Sequence, residues 1–251
     1  MSSSFNTTQW SLIIKIRSDD PTEARAATEA ICQSYWLPIY AWLRSSGNPE
    51  EPAKDFTQGF FLYAIRKDLL RKADARKGKL RTFLLTSLKH FLADEQERAS
   101  ARKREGRRRE IPLDFMNCEA GERGIEHDLK SDDRTPSEIY DYRWARTLLQ
   151  ISLTRLESEF RDKGKEEMFR VLAPLLSDLE KKNTYSDAAG RLKCSEGAVR
   201  VAFHRFKKRF RDILREEVAR TLLPDETIDE EMSELSAILA GKGRHEKSFH
   251  S

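Results

Sequence analysis

Glycine and proline interrupt this chain at only a few places: Gly47 to Pro52, Gly78, Gly106 to Pro112, Gly121 to Gly124, Pro136, Gly164 and Pro224. Between these breaks apolar residues recur every three or four positions, the period that turns one face of an α-helix towards a core. No stretch alternates with the two-residue period of a half-buried strand, so the expected class is all-α. Pro21-Thr22-Glu23 opens a helix to about Ser45, with Ile31, Tyr35, Ile39, Trp42 and Leu43 on its apolar side. Pro38 lies inside that pattern and predicts a kink or a restart. Ala53 to Lys72 reads as a second helix, with Phe56, Phe60, Phe61 and Ala64 on its apolar face. A third begins near Leu80 and passes through Phe83, Leu84, Leu88, Phe91 and Leu92 into a basic run.

Composition argues against one large core. Charged residues make up 35% of the 251 and the mean hydropathy is −0.70, which suits two small helical domains joined by a polar segment. Residues 105–140 carry glycines, like-charge clusters and "SDDRTPSE", and read as a flexible linker. The expected organisation is a lead (1–21), a helical bundle (22–104), the linker (105–140), a second helical domain (141–222) and an acidic extension (223–251).

The 46 basic and 42 acidic residues nearly cancel to +4, but they are segregated. From Arg98 to Arg109, seven of twelve residues are Lys or Arg, and residues 200–215 are similarly basic, whereas 224–234 holds Asp225, Glu226, Asp229, Glu230, Glu231 and Glu234. Separate positive blocks point to a polyanion partner, with nucleic acid first. Cys32, Cys118 and Cys194 match no metal spacing and read as reduced thiols. The start lacks the basic-then-apolar order of a signal peptide, and no apolar run approaches membrane-spanning length. A soluble cytoplasmic protein without a membrane partner is expected.

"YSDAAGRLKCSEGAVRVAFHRFKKRFR" (185–211) carries the most specific signal. Thr184 and Asp187 mark a helix start. Ala188, Ala189 and Leu192 face inward, Lys193-Cys194 makes a turn, and Ser195 caps the next helix. Val199, Phe203, Phe206, Phe210 and Ile213 form a buried stripe, leaving Arg200, His204, Lys207, Lys208 and Arg211 on other faces. Two helices joined by a tight turn, the second with a basic front, make a helix-turn-helix. A merely solvated face does not explain the capped short helix upstream. A membrane-surface helix does not suit so narrow an apolar stripe.

This stretch resembles region 4 of bacterial RNA polymerase sigma factors of the extracytoplasmic-function (ECF) group, within the sigma-70 family, whose helix-turn-helix reads the −35 element. Lys193 stands where the family pattern has glycine. The first domain resembles region 2. "PAKDFTQGFFLYAI" (52–65) is similar to the helix that docks on the β′ clamp helices of core RNA polymerase; Asp55, Gln58 and Phe61 match, and Gly59 replaces a common glutamate. "LRTFLLTSLKHFLADEQERASARKR" (80–104) is similar to the helix that melts and reads the −10 element. There Phe83 takes a tryptophan position, His90 an asparagine position, and Asp94 and Arg98 match. "YWLPIYAWLR" (35–44) resembles the opening helix. The resemblance covers most of residues 22–220.

It implies a two-domain sigma factor that binds core RNA polymerase and promoter DNA, with an anti-sigma protein or another regulator left open. Ser195, Arg200, His204 and Lys208 are then expected at the −35 element. Phe83, His90, Arg98, Arg102 and Lys103 are expected at the −10 element, where basic and aromatic side chains hold a separated strand. The acidic linker is expected to cross the polymerase channel. No cofactor is expected. His90 and Asp94 have the i, i+4 spacing of metal ligands but no third partner, "KGKEE" lacks the spacing of a phosphate loop, and no catalytic triad is recognisable, so no enzyme activity is expected. The rival reading is a helix-turn-helix regulator that does not join polymerase. In a sigma factor Asp55, Gln58 and Phe61 are expected to be exposed; in an ordinary regulator, buried or on a dimer face. The extension, with Ile228, Met232, Leu235 and Leu239 on one side of a helix, is open to four readings: capping the second domain, binding a regulator, shielding the basic helix from DNA, or serving as no more than a soluble tail.

Overall fold

The computed structural model describes residues 9–101, 134–176, 185–222 and 227–241; no strand occurs among them, and the regular elements are helices. They fall into two compact units, one comprising the described residues up to Thr147 and from Ala219 onward, the other Leu148–Val218. The second unit is thus narrower than the expected 141–222, and the first reaches beyond 104 and recruits the C-terminal extension.

In the first unit, α1 (Gln9–Ile16) buries Ile13 and Ile16 and packs on α2 (Pro21–Ser45). Behind it, the Arg17 guanidinium donates to the carbonyls of Arg71 (3.0 Å) and Ala73 (2.5 Å). The segment expected as a lead is therefore part of the unit; its Trp10, Leu12, Ile13 and Ile16 already have helical spacing. Asp20 caps α2 by accepting from the N–H of Thr22 at 2.8 Å. This helix continues through Pro38 without the expected restart. Proline in a helix interior costs about 3 kcal/mol, but Tyr35, Ile39, Tyr40 and Leu43 are all buried around it, each supplying roughly 1.5–3 kcal/mol.

The next helix, α3, spans Glu50–Arg66, shorter than the expected 53–72. Asp68 has φ 51°, its N–H bonds to Ile65 O, and Leu69 N–H bonds to Ala64 O at 2.8 Å. That is a Schellman stop, with aspartate in the left-handed position that glycine usually takes. Beyond two short 3-10 turns, α4 (Leu80–Ala101) lays Leu80, Leu84, Leu88 and Phe91 into the core. Gly59 lies against the Phe91 ring of α4. A Cβ on residue 59 would stand 3.3 Å from Phe91 Cζ, a tight contact that the ring would have to relieve by a small shift.

Part of the expected linker is helical. Thr135 and Glu138 form a reciprocal capping box, Glu138 N–H to Thr135 Oγ1 (3.3 Å) and Thr135 N–H to the Glu138 carboxylate (2.8 Å). With Pro136 at the first position, it starts α5 (Pro136–Asp162). The residues "TPSE", read as loop from their polarity, are a helix start.

The acidic extension forms α9 (Ile228–Leu239), opened by a second capping box between Thr227 and Glu230. Glu231 and Glu234 both pair with Lys79, which immediately precedes α4, and with Arg81 inside it. Arg81 is 5% exposed and Glu231 3%. The Arg81 guanidinium also lies over the Trp144 ring at 4.1 Å, and Tyr140 Oη donates to the Arg81 carbonyl at 2.9 Å. Burial disfavours the charged forms of Lys79 and Arg81, yet the two glutamates outweigh it and hold both pKa values above their ordinary range. The described part of the extension therefore belongs to the first unit, and these two glutamates are committed to Lys79 and Arg81.

In the second unit, the rest of α5 packs with α6 (Glu166–Leu172), α7 (Tyr185–Leu192) and α8 (Glu196–Ala219). The core holds Leu156, Phe169, Leu172, Ala188, Ala189, Val199, Phe203, Phe206 and Ile213. Its centre is aromatic: Phe206 stands edge-on to Phe160 at 5.3 Å and 5.9 Å from Phe169. Arg209 of α8 grips Glu159 of α5 with two hydrogen bonds (2.8 and 2.5 Å). That grip, against a smaller opposing effect of burial, holds the Glu159 carboxyl below its ordinary pKa. A depressed carboxylate pKa gives stability that is complete above the unfolded value, about 4.3, and is lost as pH falls through the folded one. The melting temperature of Glu159→Gln, followed by circular dichroism, is accordingly expected to fall less steeply than that of the wild type below about pH 4.5.

Candidate nucleic-acid interface

The α7–turn–α8 unit is built by the residues that predict it. At the end of α7, Lys193 has φ 51°, its N–H bonds to Gly190 O (3.3 Å), and Cys194 N–H bonds to Ala189 O (3.0 Å). This is again a Schellman stop, with lysine at the left-handed position. An L-residue other than glycine is strained there by roughly 1 kcal/mol. Lys193→Gly is thus expected to stabilise the second unit by up to about 1 kcal/mol, checked as a rise in melting temperature. Ser195 Oγ then accepts from Ala198 N–H at 3.2 Å and starts α8. Thr184, the expected cap of α7, lies outside the described residues.

Burial of Val199, Phe203, Phe206 and Ile213 fixes the rotation of α8; Phe210, expected in the same stripe, is half-buried. The other faces are exposed and carry the cations Arg200, Arg205, Lys207, Lys208 and Arg211, with His204 among them. Arg200 is held by the Tyr185 ring (4.7 Å to its centroid) and by Glu196 at 3.9 Å. Lys207 lies over Phe203. His204, Arg205, Lys208 and Arg211 have no ion-pair partner among the described residues. The four residues expected at the −35 element, Ser195 at the cap of α8 and Arg200, His204 and Lys208 along it, are all exposed. The Ser195 oxygen is engaged as a cap, which leaves its hydroxyl hydrogen for a phosphate. Arg205 and Val201 on the same side were missed by the sequence reading; their position opposite the Val199–Phe203–Phe206 stripe was the available signal.

Cys194 is exposed beside this turn. The Cys32 thiol, inside the first unit, is pushed up to about 12, first by burial and then by Glu29. Cys118 lies outside the described residues.

Among the residues expected at the −10 element, Phe83 and His90 stand two helical turns apart along one edge of α4, Phe83 half-buried and His90 exposed. Arg98 is exposed and paired with Glu95 at 3.0 Å. Arg102 and Lys103 lie outside the described residues. Among the described residues no group of three His, Cys, Asp or Glu side chains is placed to hold a metal.

The expected docking set on α3 divides. Asp55 is exposed and Gln58 half-buried, one turn apart. Phe61 is 1% exposed, stacked on Trp36 at 5.9 Å and edge-on to Phe60 at 5.4 Å. It is a core residue, not the exposed contact the motif implied: the apolar face of α3 has to be covered by α2 and α4, and Phe61 lies on it.

The chain matches no protein-family model, no curated protein and no solved structure. No helix among the described residues is long and apolar enough to cross a membrane.

Proposed function

We propose that this protein is a sigma factor of the ECF type, a non-catalytic subunit that joins core RNA polymerase, brings it to promoters and helps to open them. The observation that carries the reading is the second unit's two-helix geometry, in which an apolar stripe fixes α8 so that its cationic side faces outward. An α-helix with that front fits the major groove. The polymerase part of the reading is supported by the resemblance, which runs through both halves of the chain in the family's order. Ser195, Arg200, His204 and Lys208 would contact the −35 element, and Phe83, His90, Arg98, Arg102 and Lys103 the −10 element. Docking would rest on Asp55 and Gln58.

A second reading, a helix-turn-helix regulator that acts without polymerase, is favoured by the burial of Phe61, which removes the apolar part of the expected docking contact. Binding of the purified chain to core RNA polymerase separates the two. Tight binding that Asp55→Ala/Gln58→Ala weakens supports the sigma factor. Absence of binding, with DNA affinity intact, leaves the regulator. Phe61 is excluded from the variant because its loss would empty the core of the first unit.

A further inference from the structure

Val201 is 53% exposed, one of three large apolar side chains left exposed among the described residues. It lies in the second turn of α8, two residues past buried Val199 and hence about 200° around the helix from it. Folding supplies no reason for it, because a β-branched residue on a solvent face loses rotamer freedom and leaves its methyls in water. Its surroundings keep those methyls accessible. Helical side chains lean towards the N-terminus, and the position one turn earlier is Gly197, where even an added Cβ would meet only Ser195 Oγ, at 3.9 Å. His204 and Arg205 follow three and four residues later, and Lys208 seven. The result is a single apolar spot set in a cationic face. A protein partner calls for a wider apolar patch. The DNA major groove offers one apolar feature, the 5-methyl group of thymine.

We propose that Val201 is a specificity residue that packs against the 5-methyl group of a thymine in the major groove, while the neighbouring cations hold the backbone. The proposal rests on the reading of α8 as a duplex-binding helix. Duplexes selected from a random-sequence pool by the full-length protein, alone and with core RNA polymerase, provide the probe. Each thymine of a selected duplex is replaced in turn by deoxyuridine, which deletes only the methyl. One replacement is expected to weaken wild-type binding about 3- to 5-fold and to leave binding by Val201→Ala unchanged, since that variant has already lost the contact. Val201→Ala exchanges an exposed residue for the best helix former, and an unaltered melting curve shows that it folds. Successful selection followed by indifference to every replacement overturns the methyl contact and leaves duplex binding standing. A pool from which no duplex is enriched overturns duplex binding and this inference with it.

Discussion

Arg200→Ala/Arg205→Ala/Lys208→Ala is expected to lower affinity for a selected duplex roughly 100- to 1000-fold, with the fold intact. A well-placed contact to a base edge contributes about 1–3 kcal/mol, and one to a phosphate contributes mainly through released counterions. The logarithm of affinity should therefore also fall less steeply with the logarithm of salt concentration, by about one unit for each phosphate contact removed. Fluorescence anisotropy at several salt concentrations measures both. The cost to folding is small: all three side chains are exposed, and the interactions that Arg200 makes with Tyr185 and Glu196 lie at the surface. A Glu159→Ala/Arg209→Ala variant, which removes a cation of the same helix that is already tied to α5, should leave the affinity and its salt slope nearly unchanged. Equal losses in both variants would mean that binding does not depend on the exposed side of α8.

Glu231→Ala is expected to destabilise the first unit by about 3 kcal/mol, because Arg81 and Lys79 are then left in a poorly hydrated site with Glu234 between them and only Asp141, 3.8 Å from Arg81, as a further carboxylate. Tryptophan fluorescence reads this unit alone, since the chain's four tryptophans, Trp10, Trp36, Trp42 and Trp144, all belong to it. The urea midpoint of that signal should fall while the far-ultraviolet signal of the second unit unfolds at its former midpoint. Arg81→Met/Glu231→Met should cost less than the sum of its single changes, because removing both charges also removes the desolvation each imposes. A loss below 1 kcal/mol for Glu231→Ala would show that α9 is held by Leu235 and its apolar neighbours instead.

The sequence reading failed where long-range partners decide. Phe61 matched a docking motif one side chain at a time, yet a single helix pattern does not say which of Phe56, Phe60 and Phe61 a neighbouring helix will cover. Trp36 from α2 covers Phe61. The stop at Asp68 was missed because aspartate in the left-handed region is a local exception to the glycine signal. Pro38 does not restart α2, because buried Tyr35, Ile39, Tyr40 and Leu43 hold the helix together around it. The capping box Thr135-Pro136-Ser137-Glu138 was legible and went unread behind its polar composition.

What the sequence determined by itself is local. Helical periodicity, caps and the Val199–Phe203–Phe206 stripe specify an all-α chain and a helix whose cations must face outward, because each depends on residues within a turn or two of one another. What only the tertiary structure decided is which charges are spent. Arg209 and Arg81 are written like the other basic residues, but one is tied to Glu159 and the other is buried against Glu231 and Trp144, 150 and 63 residues away along the chain. Whether a cation is free for a polyanion depends on what the fold brings beside it, and no spacing within a helix records that.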